Sequence, residues 1–408
     1  MTGPVSVSVV IVSRDRPAAL KRCLTGIAQL DYPGFEVIVV ACPAGIAVAR
    51  ARPDAEHLKL VPFDAPNISA ARNAGLGAAA GEVVAFIDDD AVPEPLWLRH
   101  LCAPFSEDIA AAGGYVLGRN GISFQWRARS VDRLGVARDM DLPGELPQIL
   151  QPTGDRAIKT EGTNMALRRA VLAALGGFDP AFHFYLDETD LNMRLARAGL
   201  TTAIVPLAQV HHGFAESNRR APDRTPRDLF QIGASQRMFL RKHCPPSQQD
   251  EAWQAFRAAQ RRRLLGYMQR GPLDPPGLLR LMHSLDRGGA EGLRRDTGPL
   301  QAVCDAQAPF LPYPSAEGAQ RACFSGRPWQ ARTLRRRAAE AVARGQVATL
   351  FLLSPTALYH RVSLTESGVW EHRGGLFGRS LRRGPLVRLW RFRRRVTVEM
   401  ERIAAVRG

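Results

Sequence analysis

The chain has 408 residues, enough for two domains or for one domain with a large extension. Its 55 Lys and Arg residues outnumber its 39 Asp and Glu residues, giving a formal net charge of +16 at pH 7. No apolar stretch approaches the ~20 residues that cross a bilayer, the N-terminus has no signal-peptide pattern, and the six cysteines have no zinc-site spacing. We therefore expect a cytoplasmic protein with reduced cysteines, and neither a membrane-spanning nor a zinc-binding one.

The basic excess lies entirely in the second half of the chain. Residues 1–212 carry 20 Lys and Arg against 23 Asp and Glu, whereas residues 213–408 carry 35 against 16. A half with this charge can contact acidic lipid, nucleic acid or an anionic glycan. A genome rich in G and C would enrich arginine in the same way without any such partner.

The first half alternates short apolar runs with helical patterns. Strands are predicted at residues 4–12, 35–40, 58–61 and 82–87. A helix with one apolar face follows Pro17, and a second helix, rich in small residues, begins near Asn67 and continues to Ala80. This alternation predicts an α/β domain whose mostly parallel sheet is covered by helices on both faces. The glycine-rich G-x-G-x-x-G and G-x-x-x-x-G-K-[ST] loops do not occur.

Three consecutive carboxylates, Asp88, Asp89 and Asp90, follow the strand at 82–87. They repel one another unless a cation neutralises them, and they stand at the sheet edge where open α/β folds bind ligands. Magnesium commonly shares its coordination between one or two carboxylates and substrate phosphates. The triplet therefore predicts a metal clamp on a phosphorylated ligand, with a solvated acidic loop as the alternative.

Several motifs of the chain resemble those of the family 2 inverting glycosyltransferases of the GT-A fold. They occur in that family's order and spacing over about residues 5–245. The motifs are VVIVSRDRP at 9–17, NISAARNAG at 67–75, AGEVVAFIDDDAVP at 80–93, EGTNMALRR at 161–169, GGFD at 176–179, FYLDETDLNMRL at 184–195 and VHHG at 210–213.

The resemblance implies a Rossmann-like GT-A catalytic domain over residues 1–245. Residues 246–408 form a basic, mainly helical extension of no recognised family, with a short β-containing segment before an Arg-rich tail. The implied activity is inverting, divalent-metal-dependent transfer of a sugar from a nucleotide diphosphate sugar to a hydroxyl of a glycan or lipid-linked saccharide, as in cell envelope polysaccharide biosynthesis. The alternative is a basic nucleic-acid- or membrane-binding protein whose GT-A domain has lost catalysis.

The resemblance also assigns roles to single residues. Metal ligands would be Asp90, Asp88 and His211, binding manganese or magnesium, and imidazole suits manganese better. Residues implied in donor binding are Ser13, Arg14, Arg72, Asn73, Asp88, Asp89, Gly162 and Asn164. The catalytic base falls on Glu188, but the chain has Asp-Glu-Thr-Asp where the family has Glu-Asp-x-Asp, so Asp187 and Asp190 remain rivals. Simple capping of a helix N-terminus is the alternative role for these carboxylates.

Two predictions concern the extension. Residues 271–318, rich in Gly and Pro, predict a linker with one short helix. The tail at 379–395 mixes arginines with Leu386, Leu389, Trp390 and Phe392, which predicts a helix on an anionic membrane surface. That tail would hold the protein on the inner face of the cytoplasmic membrane, with nucleic acid not expected as a partner. A solvated basic tail is the alternative.

Overall fold

A computed structural model describes residues 3–213, 221, 223–303, 306, 308–381 and 384–408. The helices in these ranges are α1 (Pro17–Ile27), α2 (Pro43–Arg50), α3 (Ile68–Ala78), α4 (Trp97–Cys102), α5 (Arg169–Ala174), α6 (Asp187–Arg197), α7 (Phe230–His243), α8 (Gln249–Gln269), α9 (Pro275–Gly292), α10 (Ala331–Ala343) and α11 (Phe392–Arg407). Within the same ranges, none of the helices has both the length and the apolar character needed to cross a membrane.

The strands of the described ranges form three sheets. They are β1 (Val7–Ser13), β2 (Phe35–Ala41), β3 (Leu58–Pro62), β4 (Val83–Asp88), β5 (Ala91–Pro93), β6 (Ala111–Leu117), β7 (Phe124–Trp126), β8 (Arg129–Asp132), β9 (Ala137–Asp139), β10 (Gln148–Leu150), β11 (Arg156–Lys159), β12 (Met165–Arg168), β13 (Thr202–His212), β14 (Arg321–Gly326), β15 (Val347–Ser354), β16 (Arg361–Leu364) and β17 (Trp370–Gly375).

The largest sheet has ten strands, in the order β10-β13-β6-β12-β4-β1-β2-β3, with β5 beside β13 and β7 beside β6. Strands β1, β2, β3 and β4 pair in parallel, as do β6 and β13. Because β12 is antiparallel to both β4 and β6, the two parallel groups run in the same direction. Their carboxyl ends therefore share one edge, where ligands bind in sheets of this type.

Apolar residues cover both faces of this sheet, as expected for parallel strands buried between helices. In β1, Val7, Val9 and Ile11 belong to one buried cluster with the apolar face of α1, whereas Val10 belongs to a second cluster beneath α3 and α6. Asn67 caps α3 by accepting a hydrogen bond from the Ala70 backbone N–H at 3.0 Å. The predicted α/β class, with its mostly parallel sheet and partly helical C-terminal region, is confirmed.

The described residues from 230 onward contain more helix and strand than the composition of this region suggested. Helices α7 and α9 cross so closely that a Cβ on Gly233 would lie 2.2 Å from the Leu285 carbonyl oxygen. A Cβ on Gly288 would lie 1.9 Å from the Phe230 carbonyl oxygen. Gly288, which falls in the predicted linker, is therefore a contact residue, and the prediction of one short helix was wrong because α9 has 18 residues.

The tail does not form the predicted helix between residues 384 and 391, since α11 begins only at Phe392. Trp390 and Phe392 pack against the buried side chains of Phe351, Leu353 and Leu376. The two aromatic residues that were predicted to contact a membrane therefore pack against β15 instead. Arg382 and Arg383, which belonged to the same prediction, lie outside the described residues.

The last helical turn of the chain enters the core of the first half. The Arg407 guanidinium, 2% exposed, donates to both carboxylate oxygens of Glu94 at 2.7 and 2.8 Å. Glu94 also contacts His211 Nε2 at 2.7 Å, and Arg407 lies 4.2 Å from the Trp370 ring centroid. Although burial opposes ionisation, Arg407 holds the pKa of Glu94 at about 2. The C-terminal sheet β14-β15-β17-β16 is thereby joined to the large sheet by a buried ion pair.

Arg407→Met should lower the free energy of unfolding by about 3–5 kcal/mol, because it leaves the Glu94 carboxylate buried with no guanidinium partner. Urea denaturation measures this loss. Arg336→Met is the matched control, since Arg336 is exposed on α10 and its pairing with Glu340 at 3.7 Å contributes less than about 1 kcal/mol. Equal stability of the two variants would contradict the role given to Arg407.

Candidate active site

A cavity of about 700 Å³ opens at the carboxyl ends of β1, β2, β4 and β13. The end of β1 contributes Ser13, the end of β4 contributes Asp88, and the end of β13 contributes His212. Arginines line it as well: Arg14, Arg16, Arg227 and Arg263. This volume lies within the range of small-molecule sites. The predicted donor residues Ser13, Arg14 and Asp88 are thus brought together around one space.

The three consecutive aspartates do not share one environment. Asp88 and Asp90 line the cavity, whereas Asp89 is fully buried and accepts a hydrogen bond from Ser13 Oγ at 2.7 Å. Burial raises the pKa of Asp89 to about 7, against the attraction of Arg16, whose guanidinium lies 2.5 Å from it. The predicted donor contact of Asp89 is not supported, because the side chain faces the interior.

The two adjacent histidines also point to different places. His212 lines the cavity, with Nε2 3.2 Å from Asp90 Oδ1. His211, predicted as a metal ligand, is buried against Glu94 and the Trp370 ring. Successive side chains of a strand alternate between its two faces, so only one of the pair can reach the cavity. The geometry moves the candidate ligand from His211 to His212.

Asp88, Asp90 and His212 form a candidate cation site. Each offers one ligand atom, and these atoms all lie within 4.8 Å of one another. Two carboxylates and an imidazole are a donor set that suits manganese. Arg16, which sequence reasoning missed, lies 3.3 Å from Asp90 and partly balances the negative charge. Its sequence signals were its place in the VVIVSRDRP motif at 9–17 and its position just before the Pro that begins α1.

Arg72 connects this site to the carboxylates of α6. Its buried guanidinium lies 3.3 Å from Asp88 and also forms an ion pair with Asp187. Gly162 lies against the same guanidinium, where a Cβ would lie 2.4 Å from Nη2. Neither residue lines the cavity as predicted for donor binding. We interpret Arg72 as a bridge between Asp88 and Asp187, and Gly162 as the space that admits it.

Two side chains predicted to bind the donor form hydrogen bonds within the protein instead. Asn73 donates to the Phe178 carbonyl at 2.7 Å and accepts from the Phe178 backbone N–H at 2.8 Å. Asn164 is completely buried; it donates to the Tyr115 and Ala208 carbonyls and accepts from the Trp97 indole. These bonds satisfy both amides. The structure therefore assigns Asn73 and Asn164 to the scaffold and not to the donor.

Helix α6 presents the three candidate bases in different surroundings. The helix begins after Tyr185 and Leu186, two non-glycine residues at φ 72° and 65°. Such left-handed backbone is uncommon for these residue types and clusters at functional sites. The Glu188 side chain is 17% exposed, that of Asp187 4%, and that of Asp190 fully buried. Glu188 is thus the most accessible of the three.

Charge separates the candidates further. Asp190 lies within 2.9 Å of Arg194, Lys242 and His243, and these partners lower its pKa despite burial. Glu188 contacts Lys159 Nζ at 2.9 Å; burial would raise its pKa, but Lys159 outweighs this and holds it at about 2. Asp190 is therefore a structural carboxylate, whereas Glu188 is ionised and accessible. Lys159, a lone buried lysine without a motif, was missed by sequence reasoning.

Arg263 is a further residue of the site that the sequence did not reveal. It lies on α8, in the region beyond residue 245, and lines the cavity together with Arg227. In the sequence it is one of three consecutive arginines, at 261–263, to which no role was assigned. The C-terminal extension thus supplies a cation to the same space as the strand-end residues.

Comparisons with known proteins agree on the family. The family model described as "Glycosyltransferase like family 2" matches residues 4–230. The "Pre-mycofactocin glycosyltransferase" of Mycobacterium tuberculosis strain H37Rv is 29% identical over 216 residues, covering 50% of this chain and 42% of that protein. The "N-acetylglucosaminyl-diphospho-decaprenol L-rhamnosyltransferase" of the same strain is 38% identical over 61 residues, covering 15% and 20%.

A solved structure shows a weak similarity of fold. It is the mannosyltransferase PcManGT from Pyrobaculum calidifontis, in complex with GDP-Man and Mn²⁺. The match has a TM-score of 0.41 and 17% identity, and covers 72% of this chain and 88% of that one. The chain spans less than half the length of the first curated relative that it matches.

Proposed function

This chain belongs to the glycosyltransferase family 2-like proteins, and we propose that it transfers a sugar from a nucleotide diphosphate donor to an acceptor hydroxyl. The family membership expected from the motifs is confirmed by a family model matching residues 4–230. The observation that carries the proposal is the convergence of Asp88, Asp90 and His212 on one wall of a cavity lined by four arginines. Such a site suits a metal-bound diphosphate.

In this proposal the residues of the cavity hold the donor. Asp88, Asp90 and His212 would hold a divalent cation, which would supply charge stabilisation to the departing diphosphate. Arg14, Arg16, Arg227 and Arg263 provide guanidinium groups that match phosphate oxygens. Arg263 lies on α8, in the C-terminal extension. Donor binding therefore also requires this extension to be in place.

The acceptor side is assigned to α6. Glu188, ionised and partly exposed, accepts the proton of the acceptor hydroxyl at a carboxylate oxygen. Attack from the side opposite the leaving diphosphate inverts the anomeric centre. Arg72 fixes the position of α6 relative to the cation site through its contacts with Asp187 and Asp88. Lys159 orients Glu188 and balances its negative charge.

The acceptor class and location are part of the proposal. We infer that the acceptor is a glycan or a lipid-linked saccharide and that the protein works in cell envelope polysaccharide synthesis. Its place would then be the inner face of the cytoplasmic membrane. A relative with the name decaprenol L-rhamnosyltransferase supports a lipid-linked acceptor, over a match of 61 residues.

Thermal unfolding with a panel of UDP, GDP and dTDP sugars tests the function. A donor at 100 times its Kd should stabilise the fold by about 2.7 kcal/mol. The increase should require manganese and disappear with EDTA, and the same donor should be slowly hydrolysed. If no nucleotide sugar stabilises the protein, and an anionic polymer does, the alternative of a basic binding protein with an inactive domain is supported instead.

A further inference from the structure

The C-terminal region exposes large apolar side chains on one surface. Half of the twelve exposed large hydrophobics in the described ranges lie there, with Leu389 86% and Leu358 64% exposed. We define this apolar patch by its six residues: Leu358, Tyr359, Leu381, Leu386, Val387 and Leu389. Single exposed apolar residues are common on proteins, but a contiguous group of them marks an interaction surface.

Backbone contacts bring the two segments that carry the patch together. The segment around residues 356–360 pairs with the segment that follows β17, since the Phe377 N–H donates to the Thr356 carbonyl at 3.0 Å. The His360 N–H donates to the Arg379 carbonyl at 3.1 Å. Gly378 and Val387 form a β-bridge. The Arg379 guanidinium also lies 5.5 Å from the Tyr359 ring centroid. The two apolar segments are therefore neighbours in the fold.

Positive charge is concentrated in the same part of the chain as the patch. The chain has nine arginines and no acidic residue between Glu371 and Glu399. Of these, Arg388, Arg391 and Arg393 are exposed. Trp390, between them in sequence, packs inward and stacks with Arg388 at 4.2 Å. The surface thus presents leucine and valine side chains among guanidinium groups, which is the composition of an interfacial membrane-binding segment.

One end of the hairpin beside the patch lies near the edge of the large sheet that carries the candidate active site. At one end of the β16–β17 hairpin, the Gly368 carbonyl accepts from Gln29 at 2.6 Å, beside the end of α1. At the other end, the Val362 N–H donates to the Asn120 carbonyl, in the loop that follows the carboxyl end of β6. The patch extends from this second end, next to Arg361. It therefore extends from the sheet edge that also carries Asp88 and His212.

We propose that the apolar patch and its arginines dock the protein on an anionic lipid bilayer. A bilayer offers both features at once, since anionic headgroups attract the arginines and the acyl boundary accepts leucine and valine. A protein partner would need an apolar face with an acidic rim. If the proposed function holds, a protein docked in this way receives a lipid-linked acceptor at the carboxyl edge of the large sheet. The docking surface itself needs no donor and can be tested without one.

Vesicle sedimentation of the full chain tests the proposal. Vesicles of phosphatidylglycerol and phosphatidylcholine should bind the protein, less so as salt rises, and vesicles of phosphatidylcholine alone should bind it weakly. Two variants remove the features separately: Leu386→Ser with Leu389→Ser, and Arg391→Gln with Arg393→Gln. Each should lower the vesicle partition coefficient about tenfold or more, as expected for two interfacial contacts. These four residues are exposed or half-exposed, so the fold should survive.

The matched control removes exposed leucine and arginine side chains that lie outside the patch. Leu279→Ser with Arg261→Gln and Arg262→Gln changes an exposed leucine and two exposed arginines of α9 and α8. Its vesicle binding should equal that of the wild type. The proposal is overturned if the wild type and the patch variants bind equally, or if the wild type does not bind anionic vesicles. A protein would then be the better candidate for the partner of the patch. Donor-induced stabilisation, measured in every variant, shows separately whether the proposed function stands.

Discussion

Asp90→Ala is expected to abolish metal-dependent donor binding and turnover while leaving the fold intact. Asp90 lines the cavity and lies 3.2 Å from His212, so its loss removes one of the three grouped ligands. Magnesium or manganese held by one carboxylate and one imidazole binds far more weakly than with two carboxylates. Removal of the charge also relieves repulsion with the buried Asp89, so stability should not fall.

Isothermal titration of a donor, with and without manganese, measures this effect. Asp90→Asn keeps the shape of the side chain and removes its charge, so it should lose donor affinity to a similar extent. Asp139→Asn, an exposed carboxylate at the end of β9, is the control for a change in net charge and should behave as wild type. If Asp90→Ala binds the donor as tightly as the wild type in saturating manganese, Asp90 is not a metal ligand.

The sequence predicted the frame of this site because its signals are local. An apolar run followed by three carboxylates identified the end of β4, and acidic residues before an amphipathic run identified the start of α6. Both signals depend only on neighbouring residues. The choice between His211 and His212 does not, because β13 is irregular between Val205 and Gln209 and the alternation cannot be counted through it.

The sequence could not predict the roles of residues whose partners lie far away in the chain. Asn73 and Asn164 lie in motifs that resemble donor-binding ones, but their amides are bonded to backbone 44 to 105 residues away. The pair of Arg407 with Glu94 joins residues 313 positions apart. Nothing in a local pattern distinguishes an arginine that will be buried in this way from one of the many solvated arginines of the same region. Packing alone assigns these roles.

Glu188→Gln should lower kcat by about 10²–10⁴-fold, the range typical of general base catalysis, and leave the affinity for the donor unchanged. Glutamine keeps the size of the side chain and can still accept a hydrogen bond from Lys159 Nζ, now 2.9 Å from Glu188. What it loses is the capacity to take up a proton. Donor affinity should persist because Glu188 does not line the cavity that holds Asp88 and Asp90.

The rival carboxylates are tested by the same kinetics and by pH. Asp190→Asn should lower the melting temperature, because Arg194, Lys242 and His243 lose their anionic partner. With Glu188 as the base, whose pKa is about 2, kcat/KM should show no acid limb near neutrality. Burial and the neighbouring Glu188 raise the pKa of Asp187 to about 7 against the pull of Arg72. An acid limb near pH 7, together with a larger kcat loss in Asp187→Asn than in Glu188→Gln, would therefore transfer the role of base to Asp187.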